Sequence, residues 1–178
     1  MKRALLKGPR DLVVEEVTDP AAGPGEVLVR VSACDICRSD VHTYTGIHPF
    51  VVYPVVPGHE FSGTIESVGA GVDTELVGAR VSVEPSFYCG VCRQCLSGRD
   101  NICANLRVIG FQAPGAMCEL LTVPANRIHL LVRRAIEPAD FITHRIPLEN
   151  IEDAYRLLLD PDRNTFKVLI EPGARVAE

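Results

Sequence analysis

The most informative run in the sequence is Cys89-Gly90-Val91-Cys92-Arg93-Gln94-Cys95, followed after a short gap by Cys103. Four thiolates this close along one loop can form a tetrahedral shell around a single Zn²⁺, the usual geometry of a structural zinc site. The alternative is a pair of disulfides, which would join near neighbours and constrain little of the chain. Because no secretory signal indicates an oxidising compartment, the sequence favours a zinc site formed by Cys89, Cys92, Cys95 and Cys103.

Length and charge limit the class of protein. A chain of 178 residues with 47% hydrophobic content can bury one substantial core. The net charge of −5 argues against a nucleic-acid partner. No apolar stretch is long enough to span a membrane, so a membrane partner is not expected either. Free cysteines without an export signal predict a cytoplasmic location.

The first two thirds of the chain are typical of a β protein. Short runs rich in β-branched residues alternate with Gly/Pro clusters, which predicts strands over 4–6, 12–17, 27–31, 61–68, 79–83 and 117–123. Many short strands with frequent turns indicate a partly open β-barrel rather than a parallel sheet. Near the end, apolar residues recur at helical spacing over 148–158, which predicts a helix that ends at 160–161 and is followed by a strand over 166–170.

Several motifs resemble those of the medium-chain zinc alcohol and polyol dehydrogenases. The cysteine run resembles that family's structural-zinc lobe. Gly58-His59-Glu60 resembles its Gly-His-Glu signature, residues 37–42 (Cys-Arg-Ser-Asp-Val-His) its first catalytic-zinc segment, and residues 142–148 the entry to its last helix. The resemblance implies a mainly β fold with a few helices: a GroES-like, partly open β-barrel with a structural-zinc lobe and a C-terminal helix.

Members of this family carry a dinucleotide-binding domain between the two pieces that match. Such a domain needs a strand, a glycine-rich turn and a helix, yet the 14 glycines include no G-x-G-x-x-G. We therefore expect one catalytic domain, 1–178. Its N-terminal piece, 1–132 with the zinc lobe at 87–105, joins the C-terminal piece, 133–178, directly, and the nucleotide-binding domain is absent.

The resemblance assigns a second, catalytic zinc to Cys37 and His59, with Glu60 as a further or alternative ligand. From the residues alone, a His-Glu pair is as often an ordinary surface or core pair. The family's remaining protein ligand lies in the missing stretch, so we expect a weakened site completed by Glu60 and water. Glu137 superficially resembles a ligand-bearing Glu-Pro segment, but its position fits the C-terminal piece better.

The resemblance also assigns roles around that zinc. Ser39 takes the alcohol proton and His42 passes it outward, while Asp40 orients His59 through its second ring nitrogen. The alternative for Ser39 and Asp40 is capping of a helix near His42. Arg38 resembles the arginine that contacts the cofactor pyrophosphate, although without a nucleotide domain a plain surface arginine is the simpler interpretation.

The remaining cysteines and histidines match no ligand position. Cys34 and Cys118 are expected to be small buried hydrophobic residues. His48, His129 and His144 have no partner pattern and are assigned no role.

Three functions remain open. The resemblance implies an enzyme, a zinc-dependent alcohol dehydrogenase that oxidises an alcohol, polyol or sugar acid via a zinc-bound alkoxide and reduces NAD(P). Because the hydride acceptor must be held by a Rossmann surface, we expect little or no dehydrogenase turnover from this chain. The alternatives are a cofactor-free zinc hydrolase with esterase-like activity, and a non-catalytic zinc module or half of a split enzyme. We expect a monomer, or non-native association through exposed apolar surface.

Overall fold

The computed structural model describes residues 1–131, 142–160, 165 and 167–173, and strands predominate in them. The strands are β1 Lys2–Gly8, β2 Asp11–Glu16, β3 Glu26–Asp35, β4 Glu60–Val68, β5 Arg80–Val83, β6 Ser86–Phe87, β7 Arg107–Val108, β8 Leu120–Pro124, β9 Ile128–Leu130, β10 Ile142–Pro147 and β11 Lys167–Glu171. The α-helices are α1 Arg38–Thr45, α2 Arg93–Leu96 and α3 Ile151–Leu159. No helix in the described ranges is long and apolar enough to cross a membrane.

Strand β3 is the centre of the main sheet, whose order is β10-β11-β3-β4-β5-β9. One edge of β3 pairs with β4, and the other is shared by β8 at its start and β11 at its end, where Ile170 faces Cys34. Two small sheets, β1-β2 and β6-β7, complete the architecture. The main sheet does not close on itself within the described residues, so the expected mainly β, partly open barrel is confirmed.

The core forms because apolar residues alternate along the strands. Val27, Val29 and Val31 point to one face of β3 and are buried, as period-2 spacing requires. Ala4 and Leu6 of β1 are buried in the same cluster. The strand expected over 117–123 begins only at Leu120, because Met117 and Cys118 pair with β1 instead.

The C-terminal piece contributes two strands to the main sheet. Parallel strands β10 and β11 are joined through α3, and β11 adds to the sheet beside β3. Ile151, Ala154 and Tyr155 of α3 are fully buried, which confirms the predicted helix, with Leu148 in a preceding 3₁₀ turn. The predicted junction at 132–133, Glu137 and the start of the strand expected over 166–170 lie outside the described residues.

Candidate metal centres

The four lobe cysteines converge on one point. Their Sγ atoms all lie within 4.8 Å of one another. Individual separations are 3.4 Å for Cys92–Cys95, 3.5 Å for Cys89–Cys103 and 3.9 Å for Cys92–Cys103. A tetrahedral ion with Zn–S bonds of about 2.3 Å places its sulfurs about 3.8 Å apart. All four cysteines are free thiols, so the arrangement fits a single zinc ion rather than disulfides.

Backbone amides prepare this cluster for a cation. The amides of Val91 and Cys92 lower the pKa of Cys89, and those of Cys95 and Ala104 lower the pKa of Cys92 to about 6. Burial and the neighbouring thiols raise the pKa of Cys95 to about 12. Hydrogen-bond donors favour the thiolate, the form that binds metal, whereas crowding opposes ionising every thiol at once. A bound cation would offset the repulsion among the thiolates.

A second cluster joins residues distant in sequence. The Sγ atom of Cys37 lies 3.2 Å from Nε2 of His59, and the Ser39 hydroxyl oxygen lies 2.8 Å from that sulfur and 3.4 Å from the same nitrogen. Ligand atoms of Cys37, Asp40 and His59 all lie within 4.8 Å of one another. The structure therefore brings together two of the three predicted ligands, with Ser39 beside them.

The start of α1 fixes the thiol of Cys37. Cys37 is the N-cap residue, and its sulfur accepts a hydrogen bond from the Ser39 amide at 3.3 Å. In return, Oδ2 of Asp40 accepts one from the Cys37 amide at 3.1 Å, which completes a capping box. The other carboxylate oxygen of Asp40 accepts from the Gly58 amide at 3.0 Å. Asp40 therefore takes part in capping α1 as the third helical residue of the box, while Cys37 and not Ser39 or Asp40 is the N-cap, and the Asp40 carboxylate also reaches the histidine segment.

His59 lies beside the buried carboxylate of Asp40, and its Nδ1 atom has no hydrogen-bond partner among the described residues. Its Nδ1 atom lies 3.6 Å from Oδ1 of Asp40, slightly beyond hydrogen-bond length, while Nε2 faces the Cys37 sulfur. Burial by itself would lower the pKa of His59, but Asp40 and Cys37 outweigh it and raise the pKa to about 10. Asp40 and Cys37 thus favour the positively charged form of the ring.

Gly58 precedes His59 at a tightly packed turn, and replacing it should destabilise the fold. Its φ is +93°, and an added Cβ would lie 2.6 Å from the Cys34 sulfur and 2.9 Å from Met117 Cγ. We expect Gly58→Ala to lower the free energy of unfolding by about 2–4 kcal/mol, from left-handed strain plus overpacking. Gly71→Ala is the matched control, because Gly71 has φ +82° with open space around it. Urea denaturation compares the two, and equal losses would contradict the packing argument.

Glu60 is directed to a lysine rather than to this cluster. Its Oε2 atom lies 3.1 Å from Nζ of Lys167, which also contacts Asp35. Asp40, not Glu60, is the carboxylate in the convergent group. Ligation of a metal by Glu60 therefore stays a prediction.

Arg38 and His42 lie on a different face of α1 from the metal cluster. Together with Arg10, they line a groove between α1 and the end of α3. The neighbours of the Ser39 hydroxyl are Cys37 and His59. The proton path from Ser39 to His42 and the cofactor contact of Arg38 stay predictions.

Other residues near the site had no sequence motif that could have revealed them. The Phe111 ring centroid lies 5.0 Å from that of His59 and 4.3 Å from that of His48, so the three rings form one aromatic cluster.

Cys34 and Cys118 are buried, as expected, and burial raises the pKa of Cys118 to about 12, which leaves it an inert thiol.

Comparison with known proteins gives the family. Residues 23–133 match the alcohol dehydrogenase GroES-like domain. The chain belongs to the medium-chain zinc-type alcohol dehydrogenase family. Its described residues include the GroES-like barrel and both cysteine-containing clusters of this alcohol dehydrogenase domain.

The curated relatives of the chain are consistent with this family assignment. The starvation-sensing protein RspB of Escherichia coli K12 is 38% identical over 161 residues, which cover 90% of this chain and 43% of that protein. An L-threonine 3-dehydrogenase from Mesorhizobium japonicum is 39% identical, over 72% of this chain and 39% of the enzyme. The chain therefore spans less than half the length of these relatives.

Solved structures support the fold. A dehydrogenase from Escherichia coli CFT073 (rspB), crystallised with NADH, superimposes with a TM-score of 0.71 at 34% identity, over 83% of this chain and 49% of that one. A cobalt- and zinc-bound alcohol dehydrogenase from Pyrobaculum aerophilum gives a TM-score of 0.81 at 19% identity, over 97% and 99% of the two chains. The second likeness shows the fold alone, on a matched chain that is covered almost completely.

Proposed function

We propose that this chain is the catalytic domain of a zinc-dependent alcohol dehydrogenase and that Cys37 and His59 hold its catalytic metal. The observation that carries the proposal is the 3.2 Å approach of the Cys37 sulfur to His59 Nε2, where Asp40 and Cys37 favour the positively charged form of the ring. When bound, zinc supplies a Lewis acid that lowers the pKa of an alcohol.

The chain's own residues would orient the metal-binding histidine and accept the proton of the alcohol. Asp40 would orient His59 with Nε2 toward the metal position; its carboxylate lies 3.6 Å from Nδ1 and accepts from the Gly58 amide in the same segment. The Ser39 hydroxyl, 2.8 Å from the Cys37 sulfur, is placed to accept the alcohol proton at Oγ. The Phe111 ring lies beside His59, with its centroid 5.0 Å away.

The hydride acceptor in the proposed parent reaction is NAD(P). We propose that residues 1–178 form one catalytic domain and that this chain alone has little dehydrogenase turnover, because no Rossmann glycine motif lies in its sequence. Saturable NAD(P)-dependent alcohol oxidation by the purified chain would contradict that part.

The substrate class we propose is a small alcohol or polyol, supported by relatives named for threonine and galactitol 1-phosphate. A cytoplasmic location is supported by the free state of all seven cysteines.

Metal analysis tests the proposal. We expect two zinc ions per chain in the wild type and one in Cys37→Ala, with the ion at Cys37 lost first to a mild chelator, because fewer protein ligands hold it. Cys118→Ala is the matched control, since it removes a buried thiol that lies in neither cluster. Two zinc ions retained by Cys37→Ala would overturn the assignment.

A further inference from the structure

A cavity of about 450 Å³ is lined by residues of β8 and of the small β6-β7 sheet. Its volume lies in the range of pockets that hold small molecules, roughly 300–1,000 Å³. No residue of the four-cysteine cluster or of the Cys37–Asp40–His59 cluster lines it. The cavity is therefore separate from both candidate metal centres.

Strand β8 supplies a mostly apolar wall of this cavity. Leu121 and Val123 belong to the main hydrophobic core, and the alternate residues Leu120, Thr122 and Pro124 line the cavity. Leu120 is buried as well, although it is not a member of that core cluster. An apolar group placed in the cavity would therefore lie against β8 and leave water.

The small sheet presents an aromatic ring and a cation to the same cavity. Phe87 of β6 and Arg107 of β7 are directly opposed in the antiparallel pair, and both line the cavity. Side chains of such a pair lie on one face of the sheet. Arg107 is exposed, and one of its nitrogens, Nη2, donates to the Gln112 carbonyl at 3.2 Å. In the part of the chain that the structure describes, no carboxylate contacts this guanidinium.

The other charged groups that line the cavity are already engaged. Arg3 pairs with Glu15 at 2.7 Å, and the N-terminal ammonium group pairs with Asp19 at 2.6 Å. The Glu26 carboxylate accepts a hydrogen bond from the Gly23 amide at 3.0 Å. Within the described residues, the cavity thus has one cation without a counter-charge, the guanidinium of Arg107.

We propose that this cavity binds a small monocarboxylate with an apolar tail, and that Arg107 holds the carboxylate while the tail lies along β8. A guanidinium presents paired N–H donors that match the two oxygens of a carboxylate. A single uncompensated cation favours a single negative charge, and the Glu26 carboxylate in the same lining opposes a second one. The site requires no metal and goes beyond the proposed dehydrogenase function.

Isothermal titration calorimetry with octanoate tests this on the zinc-loaded chain. We expect one octanoate to bind per chain. 1-Octanol, which has the same tail and no charge, should bind about tenfold more weakly, because a charge-assisted hydrogen bond is lost. Octyl phosphate, a dianion above neutral pH, should also bind more weakly than octanoate. Tighter binding of octyl phosphate would overturn the choice of a carboxylate.

Variants of the cavity assign the contacts. Arg107→Met should bind octanoate about tenfold more weakly and leave the affinity for 1-octanol unchanged, whereas Arg107→Lys should keep most of the octanoate affinity. Arg99→Met is the matched control, because Arg99 is an exposed arginine outside the cavity lining. Thr122→Trp fills the cavity and should abolish binding of both probes, and a thermal melt followed by circular dichroism checks that this variant is folded.

A final variant distinguishes this site from the metal. Octanoate should bind Cys37→Ala as tightly as the wild type, because Cys37 does not line the cavity. Loss of octanoate binding in Cys37→Ala would show that the carboxylate binds the metal centre instead. That loss, or equal octanoate affinity in Arg107→Met and the wild type, would overturn this inference and leave the proposed function standing.

Discussion

We expect the variant Cys92→Ser to lose ordered structure across the zinc lobe, residues 87–105, while the barrel stays folded. The lobe has little apolar packing of its own. Helix α2 contains no buried residue, and Val91, Leu96 and Ile102 are 77%, 76% and 53% exposed. Structural zinc in small zinc-finger peptides contributes roughly 10–16 kcal/mol, so the ion would replace the missing core.

Hydrogen exchange followed by mass spectrometry measures this effect. Amides of residues 87–105 should exchange at nearly unfolded rates in Cys92→Ser and in chelated wild type, while β3 and β4 keep their protection. Ser97→Ala is the matched control within the lobe, because its exposed hydroxyl donates to the Gln94 carbonyl and accepts from Arg99 Nε, and neither contact involves a cysteine. A lobe that stays protected after the metal is removed would show that packing or disulfides hold it instead.

How much of the site can be predicted depends on the sequence distance between its parts. The four lobe cysteines are neighbours in sequence, so spacing alone predicts their convergence, and the structure agrees. Cys37 and His59 are separated by 22 positions, and the antiparallel pairing of β3 with β4, which ends with Asp35 opposite Glu60, brings their segments together. Their pairing was predictable from family resemblance and not from the residues themselves.

The contacts around Glu60 could not be predicted. They require Asp35, Glu60 and Lys167 to fall in register on three strands, one of which comes from the far end of the chain. Strand propensity does not fix register between distant segments. The late start of β8 has a similar origin, because Met117 and Cys118 follow the strand pattern locally but bond to β1.

The second large effect is expected at Tyr155 of α3. This side chain is fully buried, and its ring stacks on Tyr44 of α1 with centroids 4.4 Å apart. Tyr155→Ala should lower the free energy of unfolding by about 3–5 kcal/mol, the usual range for a buried aromatic ring replaced by alanine. Domains of this size have only about 5–15 kcal/mol in total, so the loss is a large fraction of the stability. Denaturant titration followed by circular dichroism measures it.

Two further variants identify the cause of that loss. Tyr155→Phe keeps the stack and removes only a weak contact, 3.7 Å from the hydroxyl to the Met117 sulfur, so it should cost far less. Leu159→Ala, at a position 37% exposed on the same helix, should be nearly neutral. Because Cys37 caps α1, against which Tyr155 packs, we also expect Tyr155→Ala to weaken metal binding there. If only the C-terminal piece melted while the barrel kept its stability, that piece would be a separate unit and the single-domain proposal would be wrong.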